Sequence, residues 1–210
     1  MKTDALIEAL AADQKKNRSP THTVVCAALA GAALSGVGLL ATIGLREDLG
    51  AAFMTWRFDL KLAVFAIAMV LACIDTVRLT RPTGRALPST LNSVPLLLLA
   101  AAVCAELILV APEDWYANLI GTNASLCLVA IPALSLAPLI LVFVAMRDTA
   151  PQNALTAGVA IGRLSATIGA LLYGLHCFDD SPLFVTTWYA LAVLPIIGIA
   201  AIGSRLTLRW

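Results

Sequence analysis

Charged side chains are scarce in this 210-residue sequence. They make up 13% of it, whereas hydrophobic residues make up 60%. Soluble domains carry about 25% charged residues and about 45–50% apolar ones. A soluble chain of this size has too few polar groups to cover so much apolar surface, so much of that surface must face lipid. The net charge of +1 gives no reason to expect direct contact with nucleic acid.

Motifs for catalysis and for structural metals are also missing. The sequence contains no HExxH, no phosphate-binding loop and no catalytic triad pattern, so we expect no enzymatic activity. It has five cysteines but no CxxC or CxxxC spacing, which disfavours a structural zinc site and a thioredoxin-type motif. The first twenty residues are polar, so we expect no cleaved signal peptide.

Long apolar runs are what the sequence has in abundance. A spanning helix needs about 20 predominantly apolar residues, and six stretches fit that need: 23–45, 60–77, 91–111, 117–146, 155–175 and 183–202. The sequence therefore predicts an all-α integral membrane protein, a bundle of about six transmembrane helices. The fourth stretch exceeds the required length, so we expect it to tilt, to kink at Pro132 and Pro138, or to begin with an interfacial turn.

The distribution of basic residues predicts the orientation. Loops and tails on one side of the predicted bundle carry ten Lys and Arg residues, and those on the other side carry three. Because cytoplasmic loops are enriched in basic residues, both termini are predicted to lie in the cytoplasm. The chain then divides into a cytoplasmic tail, residues 1–20, and a six-span transmembrane domain, residues 21–210.

The tail carries a small apolar face. Leu6, Ile7 and Leu10 fall on one side of a predicted amphipathic helix. One interpretation is a helix that lies on anionic lipid headgroups. The other is a docking helix that places this face in the groove of a cytoplasmic partner.

Two cysteines are predicted to lie near the outer side. Cys127 falls two to three turns into the fourth predicted span, and Cys177 falls at the end of the fifth. Both thiols could simply be small buried hydrophobic groups. With His176, Asp179 and Asp180 they could instead bind a soft metal such as Zn²⁺ or Cd²⁺, although these acids could also be solvated at a helix end. The other three cysteines are interpreted as packing residues: Cys26, Cys73 and Cys104.

Two charges interrupt the apolar runs. Asp75 lies in the second predicted span and Arg163 in the fifth, both in the half nearer the cytoplasm. Intramembrane charges are rare and are usually paired. We therefore predict an ion pair between them.

Short motifs in order along nearly the whole chain resemble the NrsF family of membrane anti-sigma factors. The most specific are Cys127-Leu128 with Ile131-Pro132, and His176-Cys177 with Asp179-Asp180-Ser181 and Phe184. Others are Met1 to Asp4 with Leu6-Ile7 and Leu10, Gly44 to Leu49, Lys61, Pro138-Leu139, Arg147 with Ala150-Pro151, Tyr173, Trp188-Tyr189, and Gly203 to Trp210.

The resemblance implies a function. It implies a six-span protein of the bacterial inner membrane that holds an extracytoplasmic-function sigma factor inactive through its N-terminal region. It also implies that two cysteines, matching Cys127 and Cys177, sense oxidative or heavy-metal stress and trigger release. No resident cofactor is expected, beyond transient Zn or Cd at these cysteines. The alternative is a membrane thiol oxidoreductase or a small transporter, against which the missing CxxC and the lack of paired broken spans count.

The predicted orientation can be measured with reporter fusions. Fusions in the 78–85 loop and at the C-terminus should report a cytoplasmic location, and fusions at Glu113 and Asp180 an external one. A C-terminus found outside would contradict the six-span arrangement and would move both sensing cysteines to other depths.

Overall fold

The computed structural model describes residues 19–149 and 151–208, and these form helices and loops without a strand. Leu6, Ile7 and Leu10 lie outside the described residues. The helices are α1 (Pro20–Thr42), α2 (Leu49–Ala52), α3 (Trp56–Arg78), α4 (Ser89–Asn92), α5 (Val94–Leu109), α6 (Trp115–Ile120), α7 (Ala124–Met146), α8 (Ala154–Gly174) and α9 (Pro182–Thr207). A 3₁₀ turn at Pro112–Asp114 precedes α6, and α9 includes a π-helical turn at Val185–Tyr189.

Five of these helices are long and apolar enough to cross a membrane: α1, α3, α7, α8 and α9. The predicted all-helical, membrane-compatible fold is therefore confirmed. The third predicted span is shorter than expected, because α5 has 16 residues. At 1.5 Å per residue that is about 24 Å, against a hydrocarbon core of about 30 Å. Pro95, near the start of α5, has no N–H with which to continue the turn of α4 into a longer helix.

The fourth predicted span is divided, which corrects the expected depth of Cys127. Gly121 adopts a left-handed conformation with φ of 59°, and it separates the short helix α6 from α7. The spanning helix begins at Ala124, so Cys127 lies in its first turn rather than two to three turns inside it. Only a residue without a side chain adopts this backbone conformation at little cost, which explains why the apolar run does not continue as one helix.

Helix α8 lies at the centre of the bundle. It packs against α1, α3, α7 and α9. Of its most apolar 18-residue stretch, about 67% is buried inside the protein. Its small residues allow neighbouring backbones to approach closely. A Cβ atom on Gly169 would lie 2.7 Å from the Ile131 carbonyl oxygen of α7 and would overlap the Ser135 hydroxyl. The close contact between α7 and α8 therefore requires a glycine at this position.

The predicted ion pair between Asp75 and Arg163 is confirmed. Arg163 Nη1 donates to Asp75 Oδ2 over 3.2 Å, and Arg163 Nη2 donates to Asn92 Oδ1 over 3.0 Å. Asp75 also accepts from the Asn92 amide at 2.9 Å and from the Leu87 N–H at 2.6 Å. This network ties α8 to α3 and to the loop between α3 and α5. We call this end of the bundle the Arg78 end, and the opposite end the Cys177 end.

The close approach of α7 and α8 generates a stability prediction. Gly169→Ala should destabilise the protein by about 1–3 kcal/mol, because the added methyl group forces the two helices apart. Gly198→Ala is the matched control, since nothing lies within 4 Å of a Cβ atom built there. It should leave stability unchanged or raise it by up to about 1 kcal/mol through helix propensity. Thermal unfolding in detergent measures both, and equal melting temperatures for the two variants would contradict the packing argument.

Candidate functional site at the Cys177 end

Cys127 and Cys177 lie in one buried cluster. Both are fully buried, and they share an apolar cluster with Tyr173, Phe184 and Tyr189. The corrected start of α7 explains why they meet, because Cys127 in the first turn lies at the level of Cys177, three residues beyond the end of α8. All five cysteines of the chain are free. The two thiols that the sequence singled out therefore lie in the same buried cluster.

The surroundings of Cys177 hold its thiol in the protonated form. Burial raises the pKa of Cys177, and the nearby Lys61 ammonium partly offsets that increase. Lys61 of α3 is therefore the cation that acts on this thiol. The Tyr189 hydroxyl lies beside the thiol and has no hydrogen-bond partner among the described residues. Attack on Cys177 therefore requires either a small uncharged reagent or an opening of the cluster.

Asp179 ties the segment that carries Cys177 to the helix that carries Cys127. Its carboxylate accepts from the N–H groups of Thr122 and Asn123, at 3.0 and 2.8 Å, and from the Asn123 side-chain amide at 2.9 Å. These N–H groups immediately precede α7, where unpaired backbone donors and the helix dipole favour an anion. We call residues 176–181 the Cys177 segment.

Asp180 is held between two buried cations. It pairs with the Lys61 ammonium of α3, and Arg46 Nη1 donates to it over 2.8 Å. The same two side chains donate to the carbonyl oxygen of Cys177, Lys61 at 3.1 Å and Arg46 at 3.2 Å. Arg46 also pairs with Asp48 at 2.7 Å. This hydrogen bond holds the pKa of Arg46 above its usual value and the pKa of Asp48 below its usual value.

The remaining polar groups of the Cys177 segment bind two further elements. His176 Nδ1 lies 3.1 Å from the carbonyl oxygen of Gly44, which can only accept, so that nitrogen carries a proton in this contact. The Ser181 hydroxyl donates to Glu106 Oε1 of α5 over 3.1 Å, and Glu106 pairs with Arg57 at 3.0 Å. Six consecutive residues thus contact α3, α5, the start of α7 and the loop after α1.

The acids of this segment were expected either to bind metal or to be solvated. Instead Asp179 caps α7 and Asp180 bridges two cations. Within residues 19–149 and 151–208, no group of three His, Cys, Asp or Glu side chains is placed to hold a metal ion. Of the three cysteines interpreted as packing residues, Cys26 and Cys104 are exposed on the bundle surface and Cys73 is half-buried.

Sequence reasoning missed the partners that anchor this segment. Lys61 and Glu106 are charges inside apolar runs, and both are fully buried. The rule that predicted the pair of Asp75 and Arg163 applied equally to them, because a buried charge needs a partner. Nothing in the order of residues indicated that Asp180, more than 100 residues later, is the partner of Lys61.

Comparisons with known proteins show which family the chain matches. Residues 10–210 match the family model described as NrsF, negative regulator of sigma F. A protein named anti-sigma-F factor NrsF from Caulobacter vibrioides is 32% identical over 216 residues, covering all of both chains. A probable anti-sigma-F factor NrsF from Azospira oryzae is 29% identical over 214 residues, also covering all of both chains. No solved structure matches the chain. The chain therefore belongs to the NrsF family of negative regulators of sigma F.

Proposed function

We propose that this protein is a membrane-embedded anti-sigma factor that holds an extracytoplasmic-function sigma factor at the bacterial inner membrane. It releases the sigma factor when Cys127 and Cys177 are oxidised under stress. The observation that carries this proposal is the placement of the two thiols in one cluster. A change of bonding between them acts directly on a segment that holds the ends of several helices together.

The chemical step is the formation of a disulfide. Two thiols lose two protons and two electrons to a peroxide, which is reduced to water and an alcohol as the sulfur–sulfur bond forms. Because a disulfide requires Cα atoms within about 7 Å, its formation fixes the distance between α7 and the Cys177 segment. An uncharged peroxide suits this site, since the thiol of Cys177 is buried and a charged oxidant would lose its hydration on reaching it. Disulfide formation suits this site better than metal binding, because the carboxylates of Asp179 and Asp180 already have partners.

A path for the signal runs along α8. Cys177 follows the end of this helix, and Arg163 lies two turns from its start, where it binds Asp75 and Asn92. A rigid shift of α8 at the Cys177 end would therefore move the loop that Asp75 holds at the Arg78 end. The required coupling is small, since a tenfold loss of affinity for the partner corresponds to about 1.4 kcal/mol.

A thiol oxidoreductase is a poorer fit to this site. Such an enzyme needs an accessible thiol with a lowered pKa in rapid exchange with a second pair. Cys177 is fully buried and its pKa is raised. These are properties of a thiol that reacts rarely and changes the packing when it does.

The docking site is assigned to the N-terminal tail. Replacing Leu6, Ile7 and Leu10 by Ser removes its apolar face, and each buried Leu or Ile contributes roughly 1.5–3 kcal/mol. Capture of the sigma factor should fall by at least tenfold, with membrane insertion unchanged. Serines at Ala5 and Ala12, on the opposite side of the predicted helix, are the control and should leave capture intact. Co-purification with the sigma factor measures this, and normal capture by the triple variant would move the docking surface elsewhere.

The switch is tested at the two cysteines. Cys127→Ser and Cys177→Ser should each retain the sigma factor and abolish its release by peroxide, because one thiol alone cannot form the disulfide. Cys104→Ser is the matched control, since this thiol is exposed on the bundle surface, and it should release normally. The measurement is the amount of sigma factor that stays bound to the detergent-solubilised protein before and after treatment with peroxide. Normal release by the double cysteine variant would show that both thiols only fill space.

A further inference from the structure

Three arginines line a cleft at the Arg78 end of the bundle. The cleft has a volume of about 450 Å³ and is lined by Val77, Arg78, Arg81, Thr83, Gly84 and Arg85. No carboxylate is among these lining residues. The nearest acid in the sequence, Asp75, is already bound to Arg163, Asn92 and the Leu87 N–H. The positive charge of the cleft is therefore not neutralised by the residues that form it.

The cleft has a fixed shape. Arg78 Nε donates to the carbonyl oxygen of Arg85 over 2.9 Å, which closes the loop and leaves the two terminal guanidinium nitrogens of Arg78 available. Gly84 rests directly on the Arg78 carbonyl, where a Cβ atom would overlap it. The loop is anchored again two residues beyond Arg85, through the bond from the Leu87 N–H to Asp75. The backbone that carries the three arginines is thus held in one conformation, and their like charges repel at a cost that a bound anion would offset.

The position of the cleft indicates which anion it meets. Helix α3 has 23 residues, or about 34 Å, so its two ends reach the two surfaces of a hydrocarbon core of about 30 Å. Val77 and Arg78 form the last turn of α3, so the cleft lies at the level where lipid headgroups begin. Guanidinium groups bind phosphate oxygens through paired hydrogen bonds, and basic pockets beside transmembrane helices bind anionic headgroups.

We propose that the cleft formed by Arg78, Arg81 and Arg85 is a binding site for the phosphodiester headgroup of an anionic membrane lipid. Basic residues that only set the orientation of a chain in the membrane need positive charge, but they need neither a cavity nor a fixed loop. The closed turn at Gly84, the bond from Arg78 to Arg85 and the apolar side chain of Val77 provide a site with a polar centre beside an apolar residue of α3.

The test uses the full-length protein in dodecylmaltoside, with phosphatidylglycerol as the probe and phosphatidylcholine, which is zwitterionic and has no net charge, as the comparison. Native mass spectrometry gives the fraction of protein that retains each lipid. The wild type should retain phosphatidylglycerol preferentially, and Arg81→Gln should weaken that retention about fivefold. Arg147→Gln is the matched control, because Arg147 is an exposed arginine at the same end of the bundle but outside the cleft, and it should retain lipid like the wild type.

Further arms separate the alternatives. Arg81→Lys keeps the charge but loses the paired hydrogen bonds of a guanidinium group, so it should also weaken retention of phosphatidylglycerol. If this variant retained the lipid as well as the wild type does, the cleft would act only through its positive charge, and the proposal would be overturned. Displacement of phosphatidylglycerol by millimolar inorganic phosphate would assign the site to a soluble phosphate instead. Loss of sigma-factor capture by Arg81→Gln with unchanged lipid retention would make the cleft a protein docking surface. Since lipid retention is measured without the sigma factor, failure here leaves the proposed anti-sigma function standing.

Discussion

The carboxylate of Asp180, held between Lys61 and Arg46, fixes the Cys177 segment to the rest of the bundle. Two cations buried in an apolar protein are costly unless they are paired, and here both also donate to the Cys177 carbonyl oxygen. Removing the Asp180 carboxylate would leave Lys61 buried without a counter-charge, whereas Arg46 would keep its pair with Asp48. The segment therefore has a single favourable position, and the buried thiol of Cys177 is placed by electrostatics as much as by packing.

A second set of charges performs the same task at the opposite end. Asp75 joins Arg163, Asn92 and the Leu87 N–H, so this network holds α8 to α3 and to the loop between α3 and α5. Between the two networks α8 is enclosed by its neighbours, and Gly169 leaves no space at its contact with α7. A helix held at both ends and packed tightly along its length moves as a unit. This is the physical basis for proposing that a bond formed at one surface changes a loop at the other.

The sequence predicted the features that depend on local composition. Apolar runs identified the helices, and the charges within two of those runs led to the pair of Asp75 and Arg163. It placed Cys127 wrongly because hydropathy does not show a helix break, and the left-handed conformation of Gly121 falls inside an apolar run. The third predicted span is likewise interrupted where Pro95 prevents one continuous helix.

Sequence alone determined that the chain is helical and suited to a membrane, because the length and hydropathy of its runs are properties of consecutive residues. It also singled out Cys127 and Cys177, through a resemblance that spans the whole chain. Only the tertiary structure decided that the two thiols share one buried cluster, and that Asp179 and Asp180 cap a helix and bridge two cations. The physical reason is that a buried charge takes whichever opposite charge the packing of helices brings near it, and that choice depends on residues more than 100 positions apart.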